Sequence, residues 1–190
     1  KRPLVVADLP FMTFQISPEQ ALESAGRLVQ EGGASAVKIE SCSERTLPMI
    51  RAVVEAGIPV MGHIGLVPQS VHALSGYRVQ GRSEIDAERL IALAKKIEEA
   101  GAFSIVLELM TRETAQRVTE AVSIPTIGIG AGSACDGQVL VLHDLLGLTE
   151  NPPKFVRRYV DLRSGILRAM RKYARDVRER HFPGEEQSYE

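Results

Sequence analysis

The chain is poor in three things that would have announced a function. It has two cysteines in 190 residues, Cys42 and Cys135, far apart and without metal-ligand spacing. That excludes a small fold built on disulfides and a thiolate metal site, and both residues read as free thiols of a reducing, cytoplasmic compartment. It has little surplus charge: the formal net charge is −1. No global field draws it to nucleic acid or to an anionic membrane. It has no apolar stretch near the ~20 residues that span a bilayer, and no secretory signal pattern. No nucleic-acid partner and no membrane partner is expected. An initiator methionine is also lacking, and the chain opens almost directly into a strand at Leu4 to Ala7, so it reads as part of something longer.

What is present is 44% hydrophobic residue and 25% charged residue, the balance of one globular domain over 1–190 with a real core. Short apolar runs each lead into a polar residue. Leu4-Val5-Val6-Ala7 ends at Asp8, Ala36-Val37-Lys38-Ile39 at Glu40, Pro59-Val60-Met61-Gly62 at His63, and Ser104-Ile105-Val106-Leu107 at Glu108. Pro125-Thr126-Ile127 enters a glycine loop, Gly128 to Gly132. Runs of this length suit buried parallel strands, and in parallel α/β proteins reactive groups gather at the carboxyl ends of the strands.

The segments between read as helices. Ser17 caps a helix over 18–31 with Pro18 at its first position and Gly32 beyond its end. Further helices are expected at 44–56, at 84–100 behind the Ser83 cap, and at 111–122. A long loop covers 65–82, and a sixth strand is expected at 138–142. Six strands with helical crossovers give either a (β/α) barrel or an open doubly wound sheet. A closed barrel needs eight strands and typically ~250 residues. A final helix is expected over 153–180. Its stripe of Phe155, Tyr159, Leu162, Ile166, Met170, Tyr173 and Val177 recurs at helical spacing. Its basic back reads as a solvated face that balances the acidic remainder of the chain, and a helix this long could also pack on a neighbouring subunit.

Asp8, Glu40 and Glu108 are carboxylates at expected strand ends, accompanied by Lys38 and His63. Oxygen ligands suit a hard cation such as Mg²⁺, which keeps water sites open for substrate. A 2-oxo acid chelates such an ion, which then draws electrons from the carbonyl. Lys38 and Glu40 share a strand face opposite Ile39, so one pair could supply a cation for substrate oxygens and a carboxylate near a metal. Each residue alone has a bland reading as a cap, a solvated lysine or a structural histidine. One per strand end is a different matter.

The strings are more specific than the pattern. Asp8-Leu9-Pro10-Phe11, Val37-Lys38-Ile39-Glu40, Gly62 to Ser70 (His-Ile-Gly-x-x-Pro-Gln-Ser), Val79-Gln80-Gly81-Arg82, Ile127 to Gly132 and Cys135 to Val141 occur in order. The chain resembles the ketopantoate hydroxymethyltransferases from residue 4 to about 189. The resemblance implies a (β/α)₈ TIM barrel of the phosphoenolpyruvate/pyruvate superfamily, here with six of the eight βα units. It implies transfer of a hydroxymethyl group from 5,10-methylenetetrahydrofolate to 3-methyl-2-oxobutanoate, giving 2-dehydropantoate, in pantothenate biosynthesis. It implies Mg²⁺ as cofactor, the folate as co-substrate, and a homo-oligomer, a decamer of two pentameric rings. Residue by residue, Asp8 matches a metal ligand that also meets the substrate. Glu40 matches a carboxylate beside the metal. Lys38 and His63 match substrate-binding residues, and Glu108 matches the catalytic acid/base.

The chain departs from the family pattern at Ser41-Cys42, where the family has Gly-Gly, and at Met110-Thr111, where it has Val-Pro. It contains no Gly-Asp-Ser string, which in the family carries a second metal ligand; the resemblance places that string, with two βα units, upstream of residue 1. The glycine loop lacks dinucleotide spacing and reads as a structural element that lets the backbone approach the substrate closely at the barrel top. Two other functions fit less of the sequence. One is a non-catalytic truncated chain of the same fold acting only in assembly. The other is a related Mg-dependent lyase or mutase, which shares the carboxylates but not the His-Ile-Gly-x-x-Pro-Gln-Ser string.

Overall fold

The computed structural model describes residues 3–41, 43–70, 76 and 78–190. Cys42, and residues 71–75 and 77 of the expected loop over 65–82, lie outside them. Backbone contacts divide the chain into two units, Lys1–Val139 and Leu140–Glu190.

The first unit is a six-stranded sheet in the order β1-β2-β3-β4-β5-β6. The strands are β1 Val6–Asp8, β2 Ala36–Glu40, β3 Val60–Gly65, β4 Ser104–Glu108, β5 Thr126–Ile129 and β6 Gly137–Gln138. Every neighbouring pair is parallel. This order bears out the barrel that the resemblance implies, against the doubly wound sheet. A doubly wound sheet reverses its strand order at a switch point. Here the order never reverses, so right-handed crossovers put every connecting helix on one face, as in an arc of a barrel.

The connecting helices are α1 Pro18–Gln30, α2 Leu47–Glu55, α3 Glu84–Glu99 and α4 Arg112–Ala121. Their starts follow the sequence signals. The hydroxyls of Ser17 and Ser83 accept the N–H of Gln20 and Asp86, and Pro18 takes the first turn. Alternation along the strands sends Val37, Ile39, Ile64, Ile105 and Leu107 into the core beneath these helices. The residues between them, Lys38, Glu40, His63 and Glu108, face the other side.

Gly62 marks a close strand–helix approach. A Cβ there would stand 2.6 Å from Ile97 Cγ2 and 3.4 Å from Ile105 Cγ1. The sixth strand is shorter than expected. Pairing ends after Gln138, and residues 142–145 form a helical turn, α5 (Leu142–Leu145), because the Asp144 N–H bonds back to the Val141 carbonyl. The β5–β6 connection is closed by Asp136, whose Oδ2 accepts the Thr126 N–H at 2.8 Å and its hydroxyl at 3.0 Å. These bonds hold the Asp136 carboxyl below the ordinary aspartate range.

The second unit carries α5 and α6 (Leu162–Arg178). The last helix thus starts nine residues later than the expected 153. Pro152 and Pro153 have no N–H to give, and the following chain bonds back to α5 instead. Tyr159 N–H reaches the Leu145 carbonyl at 2.9 Å and Leu162 N–H the Leu146 carbonyl at 3.1 Å. Asp161 then caps α6 by accepting the Ser164 N–H. Phe155 and Tyr159 precede the helix, whereas Leu162, Ile166, Met170, Tyr173 and Val177 keep their common stripe. No helix among the described residues is long and apolar enough to cross a membrane.

Gly62→Ala should cost about 1–3 kcal/mol of stability, the usual penalty for overpacking, read as a lower urea midpoint with unchanged slope. The Asp136 contacts give a pH signature. A carboxyl held low contributes stability that is present above its ordinary range and is lost as pH falls through the folded-state value. The urea midpoint of the native chain should therefore exceed that of Asp136→Asn at neutral pH, and the two should converge in acid.

Candidate active site

The polar ends of the strands form one linked row. Asp8 pairs in register with Lys38, and Glu40 with His63. His63 pairs with Val106, so Glu108 stands one residue pair further along the same face of β4. Lys38 is long enough to rise past its own register level. Its Nζ lies 3.0 Å from Asp8 Oδ1 and 3.1 Å from His63 Nδ1. His63 Nε2 in turn lies 3.0 Å from Glu108 Oε2. Four adjacent strands thus contribute to a continuous chain, Asp8–Lys38–His63–Glu108.

Donor chemistry fixes the state of the imidazole. An ammonium can only donate, so Nδ1 accepts and the ring proton sits on Nε2. His63 is buried at 2% exposure. Although Glu108 Oε2 is near, the N–H does not point at it, and Nε2 makes no hydrogen bond. A buried donor without a partner is costly. This one stands among strand-tip carboxylates, where an oxygen of a bound molecule would satisfy it.

Glu40 is held from another direction. Its Oε2 accepts the backbone N–H of Gln69 at 2.9 Å, from the 3₁₀ turn Pro68–Ser70 that follows β3. Asp8 and Glu40 each keep one oxygen without a hydrogen bond among the described residues. The Asp8 side chain is 60% exposed, open to a ligand. Asp8, Glu40 and Glu108 do not form an all-protein cage. Among the described residues, the group of His, Asp and Glu whose ligand atoms lie within 4.8 Å of one another is Asp176, Glu179 and His181, at the end of α6. Mg²⁺ does not ask for a cage: it is commonly held by one or two carboxylates, waters and substrate oxygens. The donor set at Asp8 and Glu40 fits that mode.

Sequence reading missed how Glu108 is fixed. The next residue, Leu109, has φ +44°, a left-handed conformation that costs a non-glycine residue about 1–3 kcal/mol and persists only where the surroundings over-determine it. They do so here. Leu109 N–H bonds to the Ile129 carbonyl, Gln80 N–H to the Leu109 carbonyl, and Leu66 N–H to the Glu108 carbonyl, each at 2.9 Å. The loop string Val79-Gln80-Gly81-Arg82 therefore clamps the tip of β4, with Gln80 bridging Met110. No local signal marks this strain, because leucine is an ordinary residue at a strand end.

The departures from the family pattern find local roles. Ser41 is buried; its N–H bonds the His63 carbonyl at 2.7 Å and its hydroxyl accepts that of Thr46 at 2.8 Å. Thr111 caps α4 by accepting the Thr114 N–H, and Met110 is buried. In the glycine loop, Gly132 has φ +83° and its Cβ position would meet Arg112 Cβ at 2.7 Å. Cys135 is half-buried, and that burial pushes its thiol up.

Comparison with known proteins now bears on this geometry. The family model for ketopantoate hydroxymethyltransferase matches residues 1–185. The 3-methyl-2-oxobutanoate hydroxymethyltransferase of Trichlorobacter lovleyi is 57% identical over 187 residues, covering 98% of this chain and 70% of that protein. Those of Moorella thermoacetica and Carboxydothermus hydrogenoformans are each 53% identical, and this chain spans 69% and 68% of their lengths. Among solved structures, a putative lyase/mutase from Burkholderia cenocepacia aligns with 97% of this chain and 66% of its own, at TM-score 0.49 and 17% identity, too remote to inform function. On the family match across nearly the whole sequence, and on relatives above 50% identity, the chain belongs to the ketopantoate hydroxymethyltransferase family.

Proposed function

We propose that this site transfers a hydroxymethyl group from 5,10-methylenetetrahydrofolate to 3-methyl-2-oxobutanoate, giving 2-dehydropantoate. The observation that carries this reading is the Asp8–Lys38–His63–Glu108 chain, which sets a base, a cation and an unpartnered donor side by side on neighbouring strand tips. Family membership supplies the reaction; the arrangement supplies a division of labour.

Asp8 would hold Mg²⁺ directly and Glu40 through a water. When bound, the ion acts as a Lewis acid on the 2-oxo carbonyl and lowers the cost of removing the proton from the neighbouring carbon. Glu108 takes that proton as general base. The carbon then forms its new bond to the one-carbon unit of the folate as both C–N bonds of that unit break; water supplies the hydroxyl oxygen of the product, and tetrahydrofolate leaves with one proton from Glu108 and one from that water on its two freed nitrogens. His63 donates its Nε2–H to a substrate oxygen, ending its unpartnered state. Lys38 keeps the imidazole in the donating tautomer and adds positive charge where oxygen gains electron density. The pathway reading, pantothenate biosynthesis in the cytoplasm by a homo-oligomer, a decamer of two pentameric rings, is supported by the resemblance to the family.

Two substitutions test the assignment. Glu108→Gln keeps shape and loses the base, so kcat should fall by roughly 10²–10⁴ with oxo-acid binding changed much less, measured as 2-dehydropantoate formed with Mg²⁺ and the folate donor. A loss confined to KM would make Glu108 a binding residue instead. Asp8→Asn should abolish Mg²⁺-dependent binding of the oxo acid, measured by titration calorimetry; affinity equal to wild type would remove Asp8 from the ligand set.

A further inference from the structure

The turn Pro68–Ser70 closes the most distinctive string in the sequence, yet the chemistry above leaves its glutamine without a role. Gln69 lies across the tips of β1 and β2. Its backbone N–H donates to Glu40 Oε2 at 2.9 Å. Its side-chain Nε2 donates to the Leu9 carbonyl at 2.8 Å, and its Oε1 accepts from Gln15 Nε2 at 3.1 Å. One residue therefore grips three segments that are 29, 60 and 54 positions away in the chain.

The Leu9 contact matters because of what precedes it. Asp8 is the last residue of a three-residue strand that pairs only with β2 among the described residues. Such a strand does little to fix its own tip. Leu9 is the anchor: its side chain is fully buried, its N–H donates to the Lys38 carbonyl at 3.0 Å, and its carbonyl is taken by Gln69. With both backbone groups of Leu9 held, Asp8 is held too. A primary amide is suited to the position, since it donates to one backbone and accepts from Gln15 at once. Glutamate would bring an acceptor against the Leu9 carbonyl, and methionine would fill the space without either bond.

We propose that Gln69 is a positioning residue that sets the spacing of the Asp8 and Glu40 carboxylates, Asp8 through the Leu9 carbonyl and Glu40 through its own N–H, and so tunes the affinity of the site for a divalent cation. The proposal rests on the reading of Asp8 and Glu40 as the cation-holding pair. It separates the two contacts cleanly: a side-chain substitution releases Leu9 but leaves the backbone bond to Glu40 in place.

The test compares wild type, Gln69→Met, Gln69→Glu and Asp8→Asn in the native protein. Mn²⁺ binding is followed by loss of the free-ion electron paramagnetic resonance signal, and local order by hydrogen exchange. Gln69→Met should weaken Mn²⁺ roughly 10- to 100-fold, the range for residues that orient metal ligands, and Gln69→Glu should do so at least as much. Exchange should quicken across residues 6–12 and stay unchanged across 104–108. The Mg²⁺ concentration for half-maximal rate should rise in step with the Mn²⁺ dissociation constant, while kcat at saturating Mg²⁺ falls far less. Wild-type binding that Asp8→Asn abolishes but both Gln69 variants retain would overturn the Gln69 assignment alone. Faster exchange everywhere, with weakened binding, would reduce Gln69 to a stabilising residue and overturn it as well. A wild type that takes up no Mn²⁺ would overturn the cation reading and this inference together.

Discussion

The site depends on one half-buried cation. Lys38 stands on the polar face of β2 with only 16% of its side chain exposed, and its ammonium touches a carboxylate on one side and an imidazole on the other. Burying such a charge without partners would cost several kcal/mol. Asp8 compensates it, and His63 accepts one of its remaining protons. The result is directional. Because lysine can only donate, the imidazole carries its proton on Nε2, where it is presented to the space beside Glu108 rather than bonded to it. The state of His63 is thus decided two strands away from Glu108, by a residue that need not touch the carbon that reacts.

That arrangement is possible because of the strand order. A sheet whose order never reverses keeps its helices on one face and frees the other. Alternation then sorts every strand. Val37 and Ile39 go to the core while Lys38 and Glu40 go to the site; Ile105 and Leu107 go to the core while Glu108 goes to the site. A one-residue slip in any strand would exchange these sets. Tight packing such as Ile97 against Gly62 helps hold the register on which the chemistry depends.

The strand tips themselves are fixed by loops rather than by the sheet. Gln80 and the left-handed Leu109 clamp the end of β4, and Gln69 braces the ends of β1 and β2. Local strain at Leu109 is tolerated because three surrounding backbone bonds define it. The loop string Val79 to Arg82 and the turn Pro68–Ser70 thus hold strand tips through bonds that reach across the fold.

The sequence by itself determined the strands, their polar ends and the family. Short apolar runs closed by Asp8, Glu40, His63 and Glu108 are legible because strand alternation and burial act locally. The caps at Ser17 and Ser83 are legible because a hydroxyl reaches only the next turn of chain. The last helix is shorter than its hydrophobic stripe predicts, because the stripe continues through Phe155 and Tyr159 while the backbone there bonds back to α5. The arc of a barrel was legible through the family resemblance, but strand order was beyond periodicity and spacing. So were the link from Lys38 to His63, the unpartnered Nε2–H, the strain at Leu109 and the grip of Gln69 on Leu9. Each of these joins residues many positions apart through a few ångströms of space. Such contacts exist only once the tertiary fold has brought the segments together, which no periodicity or spacing along the chain encodes.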